Sequence, residues 1–425
     1  MSAADSELTT RLAALSPRQR QFVERRLAHR DAAEGRRIPR TTGSGGFRAP
    51  ASFEQERLWF MDRMVPFREV YRIPTAVRVS GPLDAAALRR ALNHVVRRHE
   101  VLRTCLVESE QGCMEVVRDA VEIPVPLVDV RSSADPQRAV RDGVTADLAG
   151  AFDLATGPML RATIYRLDDQ EHVFAIIQHH VVSDYWSISV LFTEIATFYA
   201  AELDGVDANL PDLPVQYGDF AAWQRETVRG EYLERLTGYW RDHLDGAPAL
   251  LELPLDRPRP VQRAAVGRFF DVRFGRDTVD RARHFAREQN ATLHMTLLAA
   301  YVALLARYSG QDDVVVGVPI AGRGRTELQP LIGYFLNWLP LRITVGDDPT
   351  FRELLDRVRA ASLEGYRHQD VPFEALVYEL RPERNLGTTP IFQTSFSLRD
   401  EAPRPPGFAG TRTENFGLDG SASHF

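Results

Sequence analysis

From about residue 48 onward, apolar side chains recur at two spacings, and each change of spacing marks a passage between strand and helix. Residues 75–80 (TAVRVS) alternate and predict a strand. Leu83 and Asp84 then open a helix in which Leu88, Leu92, Val95 and Val96 share one face and Arg89, Arg90 and Arg97 the other. A strand over 101–107 completes a strand–helix–strand unit. A second unit comes later. It has an apolar helix over 292–307, a turn at Tyr308, Ser309 and Gly310, and a strand over 314–318 (VVVGV) whose unbroken apolar run predicts burial on both faces. Between the units lie an acidic, Pro-containing stretch (204–214), a helical region with Tyr217, Trp223 and Trp240, and a loop over 253–263 (LPLDRPRPVQR). The echo between units places a boundary near residue 215.

Residues 173–203 carry the densest signal. Val173 to Gln178 reads as a buried strand, and from Ile188 the apolar residues Leu191, Ile195 and Phe198 recur at helical spacing, so the intervening HHVVSD sits on a strand-to-helix turn. His179 and His180 are adjacent on the outgoing strand and point to opposite faces, which leaves one structural and one available for chemistry. Asp184 can fold back to fix the turn or pair with an arginine, and Ser187 is placed to cap a helix beginning at 188.

Composition narrows the chemistry. At 425 residues, 44% hydrophobic and 26% charged, the chain can bury a full core and reads as two domains or one pseudo-duplicated domain. No run approaches the ~18 apolar residues of a membrane span, and the first residues lack a signal-peptide pattern, which predicts a cytosolic protein. Cys105 and Cys113 are too few for a disulfide framework or a thiolate metal site. A net charge of −6 argues against nucleic acid as the main partner. All 52 basic residues are arginine, so neither Schiff-base chemistry nor a P-loop lysine is available. Ten of these arginines, against three acids, lie between residues 11 and 48, in a leader with two short helices predicted over 6–30 and a linker after them. That leader reads either as a solvated helix or as a docking element for a partner protein. The chain offers neither H-E-x-x-H nor G-x-S-x-G. What remains is a histidine without an evident protein nucleophile, suited to proton management for a nucleophile that arrives with the substrate, as in acyl transfer between two bound partners.

The segment His179 to Asp184 (HHVVSD) resembles the HHxxxDG signature of nonribosomal peptide synthetase condensation domains, relatives of chloramphenicol acetyltransferase. Other segments carry the same resemblance in the family's order. Residues 52–59 (SFEQERLW) are similar to its opening motif, 98–104 (RHEVLRT) to RHExLRT, and 217–223 (YGDFAAW) to YxDFAxW. Residues 332–337 (IGYFLN) are similar to GxFxN, 368–374 (HQDVPFE) to HQDxPFE, and Arg384, Asn385 and Pro390 to Gln393 to the last motif. The resemblance implies an α/β fold: two acetyltransferase-like subdomains in a V-shaped pseudo-dimer, with mixed sheets flanked by helices and the active site where they meet. The expected division is a leader over 1–47, a first subdomain over 48–215 and a second over 216–425.

The same resemblance implies amide formation between a carrier-bound acyl or peptidyl thioester and a carrier-bound aminoacyl acceptor, with substrates presented on phosphopantetheine and no cofactor or metal held by this chain. It makes His180 the base or positioning group and Asp184 an organiser paired with Arg323, with His179 beside them. Trp186, Ser187, Asn337, Arg98 and Arg103 become candidates for substrate contact. Two positions depart from the family: Tyr185 replaces the glycine after HHxxxD, and Trp338 stands where threonine is usual. Both rings are expected to narrow or reshape the substrate channel. Where the family continues with further strands and a closing helix, this chain ends after Leu418 to Phe425, which suggests a missing central strand or a fragment of a longer synthetase. The expected partners are an upstream donor carrier on a separate polypeptide, a downstream acceptor carrier and an adenylation domain. Alternatives are an ester-forming or free-amine acyltransferase and a non-catalytic recruitment or gating module.

Overall fold

The computed structural model describes residues 37–41, 48–64, 68–259, 267, 270–380, 388–399 and 406–418. Most of the expected leader, the Arg384 and Asn385 of the last motif, and the segment after Leu418 lie outside the described residues. The described residues from 48 onward belong to one compact unit.

The elements of that unit begin with β1 (Arg48–Pro50), α1 (Phe53–Met64), β2 (Arg72–Ser80), α2 (Ala85–Arg98), β3 (Thr104–Ser109), β4 (Gly112–Val117), β5 (Leu127–Asp129) and α3 (Pro136–Ala149). They continue with β6 (Leu160–Asp168), β7 (Glu171–His179), α4 (Tyr185–Asp204), α5 (Tyr217–Thr227) and α6 (Gly230–Leu244). The remainder are α7 (Arg276–Glu288), α8 (Leu293–Ser309), β8 (Asp313–Ile320), β9 (Asn337–Thr344), α9 (Phe351–Arg367), α10 (Phe373–Leu380) and β10 (Arg412–Asn415).

Local chemistry accounts for most boundaries. Asp84 caps α2 by accepting from the amides of Ala86 and Ala87 at 2.9 Å each, and the stripe Leu88, Leu92, Val95 and Val96 is fully buried. Thr292 caps α8 through the Met295 amide at 3.1 Å, and Gly310 closes it with a left-handed φ of 69°. The strand expected over 101–107 starts later. Residues 100–103 form one 3₁₀ turn that buries Val101 and Leu102, and β3 follows at Thr104. An apolar pair inside a turn has the same local pattern as one inside a strand.

The largest sheet has the order β10-β2-β7-β6-β5 and is antiparallel except for the β5–β6 pair. Its middle strand, β7, is buried from His172 to His179, which explains a run too apolar for a strand with one wet face. A second sheet has the order β1-β4-β3, and β8 pairs with β9 in a third. Trp240, Leu298, Val302, Val316, Leu339 and Val358 are fully buried around that third sheet. Residues 412–415 depart from the expected division at 215. As β10 they pair with β2, on the sheet built from the earlier residues, so the chain after 406 returns to the first half. The segment RTEN is polar and its register is set by the partner strand, so no apolar period announces it.

The segments on either side of residue 215 are joined by polar contacts. Arg57 of α1 donates to Glu374 of α10 at 2.9 Å, Gln224 of α5 donates to both Glu54 oxygens at 2.9 and 3.1 Å, and Arg225 donates to the Ala51 carbonyl at 2.8 Å. No single described helix is long and apolar enough to cross a membrane.

Candidate functional site

The site is built on the turn that joins β7 to α4. β7, the middle strand, ends at His179, residues 180–182 make one 3₁₀ turn that begins with His180, and α4 begins at Tyr185. Gln55 of α1 supports the turn from one side: its Nε2 donates to the Val181 carbonyl at 3.2 Å and to Glu115 at 2.6 Å.

The two histidines have separate environments. His179 is buried, its Nδ1 accepts from the Val181 amide at 3.1 Å, and its Nε2 lies 3.8 Å from Asp62. Burial holds its pKa below the ordinary imidazole value, against the opposing pull of Asp62, so the ring is kept neutral and serves to shape the turn. His180 is half-buried, with Nδ1 3.2 Å from the Ser183 carbonyl and the ring edge-on to Tyr334 at 5.6 Å. A carbonyl only accepts, so that contact places the proton on Nδ1 and makes Nε2 the basic nitrogen of the neutral ring. Tyr334 itself is buried, which pushes its phenol well above the ordinary value and keeps it neutral.

Asp184 caps α4 and ties three segments together. Its Oδ1 accepts from the Ser187 amide at 2.8 Å and lies 2.7 Å from the Ser187 hydroxyl, while Oδ2 accepts from the Phe335 amide at 3.1 Å. Arg323 Nη2 donates to both carboxylate oxygens at 3.2 and 3.3 Å and to Ser187 Oγ at 2.8 Å. Arg323 Nη1 is spent on the carbonyls of Leu328 and Leu331 at 2.6 and 2.7 Å, and its guanidinium lies 4.0 Å from the Phe335 ring centroid. Burial lowers the Arg323 pKa, and the Asp184 charge opposes that shift. Through these contacts Asp184 and Arg323 brace the turn.

Ser187 differs from expectation. The cap of α4 is Asp184, the helix begins three residues earlier than 188, and Ser187 is fully buried. Its oxygen accepts from the Gly333 amide at 3.0 Å, and its one proton lies between Asp184 Oδ1 and the Gly333 carbonyl at 2.8 Å. It therefore locks the 332–335 loop to α4. Two glycines allow this close approach. A Cβ on Gly333 would stand 2.0 Å from the Tyr217 ring, and one on Gly322, where φ is +64°, 2.0 Å from the Phe335 carbonyl oxygen. Tyr217 is fixed in turn, donating to the Tyr334 carbonyl at 2.7 Å and accepting from Ser52 Oγ at 2.9 Å.

Of the remaining candidates, Tyr185 is half-buried at the first position of α4, and Trp186 is 44% exposed with its indole N–H on the Gln329 carbonyl at 2.9 Å. Trp338 packs into the core around the third sheet. It is 9% exposed in the β8–β9 core, with its ring centroid 5.6 Å from that of Phe392. An aromatic in place of a small residue is filled-in packing here, a distinction invisible without the facing side chains. Asn337 is also a structural clamp: its amide donates to the carbonyls of Gln369 and Val371 at 3.1 and 2.7 Å and accepts from the Phe373 amide at 3.0 Å. Arg98 pairs with Glu194 at 3.0 Å, and Arg103 donates to the Arg118 carbonyl at 2.5 Å, so both serve the segments around α2 and β3. Sequence reasoning missed Gln55, Tyr217 and Tyr334 as supports of the turn, although each lies inside a recognised motif. Gln55 meets Val181, Tyr217 meets Tyr334 and Tyr334 meets His180, each pair more than a hundred residues apart in the chain.

Among the described residues, no group of three or more His, Cys, Asp and Glu side chains could hold a metal ion. The sequence model of the condensation domain matches residues 48–404. A linear gramicidin synthase polypeptide of Brevibacillus parabrevis is 44% identical over 353 residues, 83% of this chain and 5% of that protein. Phosphinothricin tripeptide synthetase PhsC of Streptomyces viridochromogenes is 40% identical over 398 residues, 93% of this chain and 36% of that one. The chain thus spans only a small part of these curated relatives. Among solved structures, the X-domain of teicoplanin biosynthesis in complex with OxyB matches with a TM-score of 0.81 and 27% identity, over 91% of this chain and 84% of that one. With a family match across most of its length, on a fold that carries the HHxxxD turn described above, the chain belongs to the condensation-domain family.

Proposed function

We propose that this domain joins an acyl or peptidyl thioester on one carrier protein to the amine of an aminoacyl group on another, releasing the phosphopantetheine thiol and forming an amide, as a cytosolic part of a nonribosomal peptide synthetase. The observation that carries this reading is the half-buried His180, whose Nδ1 contact with Ser183 assigns Nε2 as the basic nitrogen. The amine attacks the thioester carbonyl, the carbon–sulfur bond breaks, and the proton lost by the amine ends on the departing thiolate. His180 Nε2 holds or relays that proton, while Asp184, Arg323 and Ser187 fix the turn that carries it. A thioester is already activated, so holding amine and carbonyl in line supplies much of the rate. Tyr185 shapes the entrance where most relatives have glycine. The donor carrier on a separate polypeptide, the adenylation domain and the docking role of residues 1–47 belong to the same proposal.

The test is to incubate the protein with separately loaded donor and acceptor carriers and to read the joined product by intact mass, offering amine and alcohol acceptors in parallel. Amide with the amine acceptor supports the reading, and ester as the main product replaces it with alcohol acylation. A second reading, a recruitment module without chemistry, is favoured by the likeness to an X-domain solved in complex with OxyB. His180→Ala separates the two: transfer is expected to fall about 100-fold or more, the usual weight of a positioned general base. An unchanged rate would leave recruitment as the function.

A further inference from the structure

Tyr185 directly follows Asp184 and opens α4, on the same turn that carries His180. Its ring is covered by Arg399, whose guanidinium carbon lies 4.2 Å from the ring centroid. Arg399 arrives from a segment that leaves the third sheet. Residues 394–396 run beside β8, where the Gly317 amide donates to the Thr394 carbonyl at 3.0 Å and the Phe396 amide to the Gly317 carbonyl at 2.9 Å. Phe396 is anchored between His294 and Tyr301 of α8, at ring distances of 5.3 and 5.5 Å. That anchor delivers the chain to the α4 turn three residues later. Arg399 is exposed and has no carboxylate partner among the described residues, whereas both terminal nitrogens of Arg323 are occupied within the site. A guanidinium over a phenol ring gains cation–π stabilisation, and an exposed one has N–H donors able to take a carboxylate in bidentate fashion. Tyrosine in place of the family's glycine supplies the platform.

We propose that Tyr185 and Arg399 form a receptor for a carboxylate on the side chain of a substrate, so that the domain prefers an acidic acyl or aminoacyl group. This rests on the acyl-transfer reading above, and the experiment separates the two. Donor carriers bearing glutaryl or its neutral carboxamide, and acceptor carriers bearing glutamate or glutamine, are compared for product formation. The binding of glutamyl- and glutaminyl-pantetheine amides and of glutaryl- and glutaramoyl-pantetheine amides is measured calorimetrically on the same protein. One arm, donor or acceptor, is expected to show the acidic group favoured by roughly fivefold, the scale of a partly exposed ion pair. Arg399→Gln is expected to bring the acidic-to-neutral ratio close to one, and Arg399→Lys to retain part of it. Turnover without charge preference in either arm overturns the proposal and leaves acyl transfer standing. Charge-selective binding that Arg399→Gln abolishes, without turnover of any substrate, supports the receptor and removes the acyl-transfer reading. A ratio unaffected by Arg399→Gln overturns it as well.

Discussion

Asp184 and Arg323 show how one buried pair can tie several distant segments together. The two side chains are 4% and 1% exposed, and between them they hold α4, the 332–335 loop and the segment 328–331. Asp184→Asn keeps the size of the side chain but leaves the guanidinium buried without a countercharge. Breaking a buried pair in this way costs about 3–5 kcal/mol. The variant is expected to melt well below the parent in a thermal scan, with transfer lost through a disordered turn. An unchanged melting temperature would show that the charge is dispensable. His179 acts at the same scale as a shape-holder at the end of β7, while its neighbour His180, the first residue of the 3₁₀ turn, is left half-buried.

At the scale of elements, β9 places Asn337 and Trp338 on opposite faces, so adjacent residues have different duties: one clamps the 369–373 loop and the other fills the core. Trp338→Thr, the change toward the usual family residue, removes a buried indole and is expected to destabilise the fold by about 3–5 kcal/mol, read as a lower denaturant midpoint. The range of acyl groups accepted by the folded variant should match the parent. A widened range would restore Trp338 to the substrate path. Asn337→Ala is expected to act through the loop instead. It removes one acceptor and two donor contacts, leaves buried backbone groups unpaired at about 1–3 kcal/mol each, and loosens the start of α10. Hydrogen exchange over residues 369–376 would report that loosening.

At the scale of the whole molecule, two buried carboxyls where segments meet and buried histidines such as His179, held below the ordinary imidazole value, contribute pH dependence of opposite sign. Burial pushes Glu54, held by Gln224, and Glu115, held by Gln55, up to about 7 from an ordinary 4.5. Between those two values each of these carboxyls binds more protons in the folded state than in the unfolded chain, so its contribution to stability falls as pH rises through that window and levels off above it. With each group raised from 4.5 to about 7, the pair accounts for a change on the order of 7 kcal/mol. Measured from pH 5 to 8, the stability of the parent relative to the double variant E54Q/E115Q, read from denaturant midpoints, is expected to decline toward neutrality, because the histidine contributions are common to both. A difference between parent and double variant that stays constant over this range would contradict the assignment.

Most elements and the location of the site were legible in the chain. The stripe of α2, the apolar runs of β7 and β8 and the cap at Asp84 are local patterns, fixed by residues within a turn or two of one another. The HHVVSD turn was legible for the same reason, and the arginine partner of Asp184 came from motif context. Three features required the fold. The polar segment 412–415 becomes a strand only because β2 offers an edge, and Trp338 becomes core only because Phe392 faces it. Arg399 meets Tyr185 across more than two hundred residues of chain, because Phe396 is anchored on α8. Local sequence determines which backbone conformations and which chemical groups are available. Which distant groups share a surface, and which charge remains open to a substrate, is decided by the closing of long loops and the filling of a common core.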